Sequence, residues 1–151
     1  MSEQENLQIV RKLFDNLNKH NLDGNNQLYV KDVRTEAAGI PSALTSRDEG
    51  QSYVRQFLEA FPDLHFDIRD TIAQGNMVAV TWTSKGRHTK PFNPMDGGSI
   101  PPTNKSATVS GCTIVEIRNN QITRQSIYWD QVSLFSQLGI PLEMMEPHRS
   151  G

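Results

Sequence analysis

Residues 64–88, "LHFDIRDTIAQGNMVAVTWTSKGRH", decide the fold, because here the apolar spacing changes from the helical period to a period of two. Leu64, Phe66 and Ile68 alternate with His65, Asp67 and Arg69, as in a strand buried on one face. Gly75 and Asn76 mark a turn, after which Val78, Val80 and Trp82 share one face of a second strand. The same parity carries Ser84, Gly86 and His88, so His88 is expected to point where Trp82 points.

Upstream of this hairpin the pattern is helical. Ser2 with Glu5 reads as a capping box, and Leu7, Val10, Leu13, Phe14 and Leu17 then recur on one face. Residues 21–26, with Gly24 among them, break that helix; residues 28–33 read as a short second helical piece before a loop through Gly39 and Pro41. Ser46 and Glu49 repeat the capping spacing ahead of a stripe of Tyr53, Val54, Phe57, Leu58 and Phe61, which Pro62 ends. Downstream, a third strand over 108–118, a tight turn at Asn119-Asn120 and a fourth strand over 122–130 form a second hairpin. Val132, Leu134, Phe135 and Leu138 predict a short last helix stopped by Gly139, with Pro141 beyond it.

Between the hairpins lies "TKPFNPMDGGSIPPTN", residues 89–104, too rich in Pro and Gly for a strand or helix. Loops of that length are often lids or binding loops. Helices followed by antiparallel strands predict one α+β domain over 1–151, its N-terminal helices packed across a curved antiparallel sheet that encloses a cone-shaped cavity. Residues from about 143 to 151 are expected to form a flexible tail.

Composition narrows the function. With 15 Lys+Arg against 17 Asp+Glu and no block of one sign, the chain lacks the basic face that nucleic acid or an anionic membrane requires. No apolar run approaches the roughly 20 residues that span a bilayer, and "MSEQENLQ" lacks the regions of a signal peptide, so a cytoplasmic protein is expected. Cys112, the single cysteine, excludes an internal disulfide and, beside Ile114 and Val115, reads as a small buried hydrophobe. His20, His65, His88 and His148 have no partner at ligand spacing, so no metal is expected. Walker, G-x-G-x-x-G and G-x-S-x-G motifs are missing. A small molecule remains as the partner.

The segment "SIYWDQ", residues 126–131, carries the candidate chemistry. Asp130 reads either as a strand-end residue that caps the next helix or as a carboxylate on the floor of an apolar cavity. In the second reading Ser126, Tyr128 and Asp130 share the cavity-facing parity. Burial against Trp and Tyr rings then raises the carboxyl pKa above about 3.9 and makes a stronger base. Such a base removes a proton from carbon next to a carbonyl, with His88 or Tyr128 donating to the enolate oxygen, the arrangement of ketosteroid isomerase. Trp82, Trp129, Phe57 and Phe92 are the candidate walls. Tyr128 and Trp129 also read as core aromatics, His88 as a surface histidine, and Glu116 and Asp67 as solvated strand residues.

Three segments, "FLEAFPDLHFDI" (57–68), "GNMVAVTWTSKGRHTKPF" (75–92) and residues 101–139 from "PPTNKSATVSG" to "FSQLG", together resemble the SnoaL-like polyketide cyclases, or ester cyclases, of the nuclear-transport-factor-2-like (NTF2-like) superfamily. The most specific parts are Phe61-Pro62-Asp63-Leu64, Gly86-x-His88, Pro102-Thr103, and Asp130 followed by Gln137-Leu138-Gly139. The resemblance implies a cone-shaped α+β barrel, no metal or organic cofactor, and a homodimer formed through the sheet. It implies that Asp130 is the acid/base in an intramolecular aldol closure of a polyketide ester, assisted by a histidine that His88 matches. Three departures, Asn104 and Lys90 where the family commonly has Gly and the inserted residues 95–99, imply a substrate different from the aromatic polyketides.

Three rivals stand beside this reading. Epoxide opening needs an Asp-Arg-Asp arrangement that Arg87, Arg124 and Asp67 do not obviously supply. A pocket-templated cyclase would use Asp130 only as a hydrogen-bonding group. A non-catalytic small-molecule-binding module of the same fold would need no turnover at all.

Overall fold

The hairpin at the centre of the chain is present: β2 (His65–Gln74) pairs antiparallel with β3 (Met77–Arg87) across Gly75, whose φ is +57°. A computed structural model describes residues 2–95 and 97–141. The tail expected from about 143 onward lies outside the described residues, as does Asp96 within the inserted 95–99 segment.

Two helices precede the hairpin, each started as its sequence requires. Helix α1 (Glu3–Asn18) has a capping box in which Ser2 Oγ accepts the Glu5 N–H and the Glu5 carboxylate accepts the Ser2 N–H. Helix α2 (Arg47–Ala60) starts at Ser46, which accepts the Glu49 N–H at 3.1 Å. The apolar stripe of α1 buries Val10, Leu13, Phe14 and Leu17 against β2 and β3, while α2 packs on β1.

The segment after α1 corrects the sequence reading. Residues 23–28 form a short 3-10 helix, and Tyr29–Ala37 is a strand, β1, where a helical piece followed by a loop was expected. Leu28, Val30 and Val33 fit either period over so short a run. Pairing decides, since β1 lies parallel to β5 with Thr35 opposite Gln125 and Ala37 opposite Ile127. That parallel edge also departs from the wholly antiparallel expectation.

Strand β4 (Ser106–Arg118) joins β5 (Gln121–Trp129) through Asn119 and Asn120 at φ +51° and +65°, the mirror-image turn that Asn tolerates. The curved sheet has the order β1-β5-β4-β3-β2. Helix α3 (Gln131–Leu138) follows β5, ends at Gly139 in the left-handed region, and lies against β4. Among the described residues, no helix is long and apolar enough to cross a membrane.

Two bulges reset the alternation. Ile68 pairs with Trp82 but Asp70 with Thr81, so Arg69 is an extra residue and the parity of β2 reverses. Ile72 is consequently turned outward and 69 % exposed. On β5, Ile122 pairs with Ile117 but Arg124 with Glu116, which makes Thr123 the extra residue. Ile122 points inward before it; Gln125 and Ile127, not Ser126 and Tyr128, line the interior after it.

Candidate functional site

The inner face of the sheet and the two long helices enclose a cavity of about 110 Å³. Its walls are Leu13, Phe14, Phe57, Phe61, Phe66, Trp82 and Trp129, with the hydroxyls of Tyr29, Tyr53, Ser84 and Thr113 and the amide of Gln125 set among them. The rings meet mostly edge to face: Phe57 on Trp129 at 5.4 Å and 88°, Phe57 on Tyr53 at 5.3 Å and 68°, Phe66 on Trp82 at 5.2 Å and 79°.

Each polar group sits in a defined bond. Trp82 Nε1–H donates to Thr113 Oγ1 at 3.0 Å, and Trp129 Nε1–H to Tyr53 Oη at 2.7 Å. Tyr53 O–H donates to the Ala38 carbonyl and Tyr29 O–H to Gln125 Oε1, whose Nε2–H donates to Thr35 Oγ1 at 3.0 Å. Burial pushes both phenols above their ordinary range, against the lowering effect of Gln125 on Tyr29 and Trp129 on Tyr53. Both therefore stay neutral. No carboxylate, amine or imidazole belongs to the described lining.

Of the candidate site residues, Trp82, Trp129 and Phe57 line this cavity. Phe92 stands one layer back, its buried ring 5.3 Å from Phe57. The expectations for Asp130 and Tyr128 are corrected. Asp130 is exposed, and its Oδ1 accepts the Ser133 N–H at 2.9 Å as the N-cap of α3, the capping reading of this residue. Tyr128 lies on the outer face, 54 % exposed. Both were assigned inward with the parity of Ser126; the extra residue at Thr123 puts Gln125, Ile127 and Trp129 there instead.

His88 keeps the parity of Trp82 and is fully buried, but behind Phe61, on which it stacks at 5.2 Å, and not on the cavity surface. The Thr103 N–H donates to its Nδ1 at 3.2 Å, which leaves the ring proton on Nε2. Nε2 has no partner of hydrogen-bond geometry among the described residues. The His88 backbone bonds Lys105 and Asn104, so this residue clasps the base of the 89–104 loop. Asn104 has φ +60°, a left-handed conformation that favours Gly and that Asn also adopts. Inside the loop Phe92 and Ile100 exchange backbone hydrogen bonds of 2.9 and 2.8 Å and bury both side chains.

Burial pushes the His88 pKa below the usual histidine range, opposed by the Lys90 backbone. Because the folded value lies below the unfolded one, its contribution is complete above about pH 6.5 and is lost as the pH falls toward the lowered value. The slope is at most about 1.4 kcal/mol per pH unit. His88→Gln should remove it, so denaturation midpoints between pH 7.5 and 5 should fall less in the variant than in the wild type. Equal losses in both would refute a buried neutral His88.

Sequence reasoning missed Tyr29, Thr113 and Gln125 as cavity residues. The available signal was the alternation of Ile127 and Trp129 with Ser126 and Tyr128, which favours the odd positions as the apolar face. Among the described residues no group of three His, Cys, Asp or Glu side chains could hold a metal ion.

Comparison with known proteins places this geometry in a wider set. A family model described as SnoaL-like polyketide cyclase matches residues 8–138. Among curated proteins none matches the sequence. A protein of Jannaschia sp. CCS1 assigned to the SnoaL-like polyketide cyclases superposes with a TM-score of 0.80 at 18% identity, covering 91% of this chain and 94% of that one. TsrD from Streptomyces laurentii gives 0.78 at 16% identity, over 93% and 99%. A protein of Catenulispora acidiphila DSM 44928 with a ketosteroid isomerase-like fold, solved with trimethylamine, gives 0.72 at 17% identity, over 89% and 95%. At these identities the structures show a shared fold.

Proposed function

Because this chain belongs to the SnoaL-like polyketide cyclase family, we propose that it binds a small, largely apolar carbonyl or polyketide-type molecule in the cavity and directs its intramolecular aldol-type ring closure. Confinement and neutral hydrogen-bond donors do the work in this reading, without a buried carboxylate. One observation carries it: aromatic walls surround a few hydroxyl and amide groups, and no carboxylate belongs to the described lining. A methylene flanked by two carbonyls enolises readily in water. What a folded pocket adds is proximity of the enolate carbon and the acceptor carbonyl, a contribution worth up to about 7–11 kcal/mol in well-oriented systems. The reading carries no role for Asp130 in proton transfer, since its exposed carboxyl group caps α3.

The test is a panel of methyl esters of linear poly-β-ketones, followed by NMR, with wild type and Asp130→Asn compared. Asn caps a helix about as well as Asp, so the variant is expected to fold normally, bind unchanged, and cyclise at a rate within about threefold of wild type. A fall of two to four orders of magnitude, the scale of a lost acid/base, would restore the aspartate mechanism. A second reading, a binding module without turnover, is favoured by the missing acid/base group; binding with no cyclised product from any ester would establish it.

The partner chain in this reading is a second copy, paired through the outer face of the sheet. On that face Ile72 lies across from Ala79 and Ile114, with Cys112 and Tyr128 in the next row. Light scattering is expected to give twice the chain mass of 17.0 kDa; a monomer at micromolar concentration sinks the pairing.

A further inference from the structure

The polar hydrogens of the cavity are almost all committed. Trp82, Trp129, Tyr29, Tyr53 and Ser84 each donate within the protein, and one Nε2 hydrogen of Gln125 goes to Thr35. Two donors remain without an acceptor among the described residues: the hydroxyl hydrogen of Thr113, whose oxygen takes the Trp82 N–H, and the second amide hydrogen of Gln125. Thr113 is 5 % and Gln125 4 % exposed, and both line the cavity.

Register brings these two together. Thr113 pairs with Ile127 and Gln125 with Val115, so the two are diagonal neighbours on the inner face of β4 and β5, about 7–8 Å apart at Cα. The Gln125 amide turns the other way, to Tyr29 and Thr35 on β1, so on the β4 side the Thr113 hydroxyl alone among the described residues offers its hydrogen. Each donor is also strengthened from behind: the Trp82 N–H enters the Thr113 oxygen, and the Tyr29 O–H enters Gln125 Oε1 at 3.3 Å. Buried donors left without acceptors are costly, and an apolar ligand does not relieve them.

We propose that the Thr113 hydroxyl is the seat of the ligand's acceptor carbonyl oxygen; this rests on the cavity being the ligand site. During ring closure the α-carbon proton leaves to water as the enolate forms. The enolate carbon then bonds the carbonyl carbon, and the π pair of the C=O moves onto oxygen. The Thr113 O–H holds that alkoxide until it takes a proton from water. Atoms balance as an isomerisation, with no oxidant or second reactant. Specificity follows: a molecule lacking a carbonyl at this depth leaves the Thr113 hydrogen unmet.

The probe pair is acetophenone and α-methylstyrene, alike in shape and differing in C=O against C=CH2. The space of about 110 Å³ is small, so the probes are kept to one ring. Binding is read by quenching of tryptophan fluorescence, and the seat by the infrared C=O stretch of bound acetophenone. In wild type that stretch is expected well below its frequency in cyclohexane. Thr113→Val should weaken acetophenone about fivefold, one neutral hydrogen bond, and move the stretch upward while α-methylstyrene binds as before. Thr113→Ser should restore both. Because the stretch is read from bound molecules alone, it is independent of any loss of stability. A cyclohexane-like stretch in wild type, or a Val variant with an unchanged stretch and affinity, overturns the seat. Failure of both probes to bind overturns the cavity reading with it.

Discussion

Trp82→Ala is expected to lower the unfolding free energy by about 3–5 kcal/mol, the usual range for removing a buried large aromatic side chain. The ring is almost fully buried, meets Phe66 edge to face at 5.2 Å, and donates its N–H to Thr113. Truncation removes the apolar contacts, enlarges a cavity that already exists, and leaves Thr113 without its donor. Because a domain of this kind is stable by only about 5–15 kcal/mol, that loss is large. Urea denaturation followed by far-UV circular dichroism measures it. A change under about 1 kcal/mol would mean that the indole does not pack as described. Ligand affinity is expected to fall with it, since the same ring forms a wall of the site.

The second large effect comes from adding one methyl group. Gly111 lies between Trp82 on β3 and Trp129 on β5, so one cross-strand row reads Trp-Gly-Trp. A Cβ on Gly111 would stand 2.4 Å from two carbons of the Trp82 ring and 2.7 Å from the Tyr128 carbonyl oxygen. Backbone does not yield, and the ring is held by Phe66 and Thr113. Gly111→Ala should therefore cost about 1–3 kcal/mol through overpacking, exceeding the roughly 0.5–1 kcal/mol that Ala ordinarily gains over Gly inside a strand. The pair should be strongly non-additive. In a Trp82→Ala background the steric part of the Gly111→Ala cost should shrink, and a double-mutant cycle reads this directly. Additive losses would show that the glycine serves the Tyr128 backbone and not the indole.

These two residues also show how far the sequence reached. Val78, Val80 and Trp82 announced their common face through alternation alone, and both long helices announced their first turns through Ser2-Glu5 and Ser46-Glu49. Such signals are local: a few residues suffice to satisfy the backbone and to mark one apolar side. Residues 28–33 failed that test, because their apolar spacing fits a helix or a strand and only pairing with β5 selects the strand. At the site the failure was one of parity. Period two carries a side-chain assignment along a strand only while no residue is inserted, and the bulge at Thr123 turns Tyr128 and Asp130 away from the interior.

By itself, then, the sequence determined the succession of helices and hairpins, the N-cap chemistry, the Asn-Asn turn and the inward row ending in Trp82. Its resemblance to the SnoaL-like cyclases was equally legible, and the family match over residues 8–138 agrees with it. Only the tertiary structure decided that β1 is a strand, that Asp130 caps a helix in solvent, and that Thr113 and Gln125 lie on the inner face of the sheet. The physical reason is range. Caps, turns and alternation are settled among residues a few positions apart, whereas a bulge takes effect through the neighbouring strand it pairs with, and a cavity exists only once distant rings have closed around it.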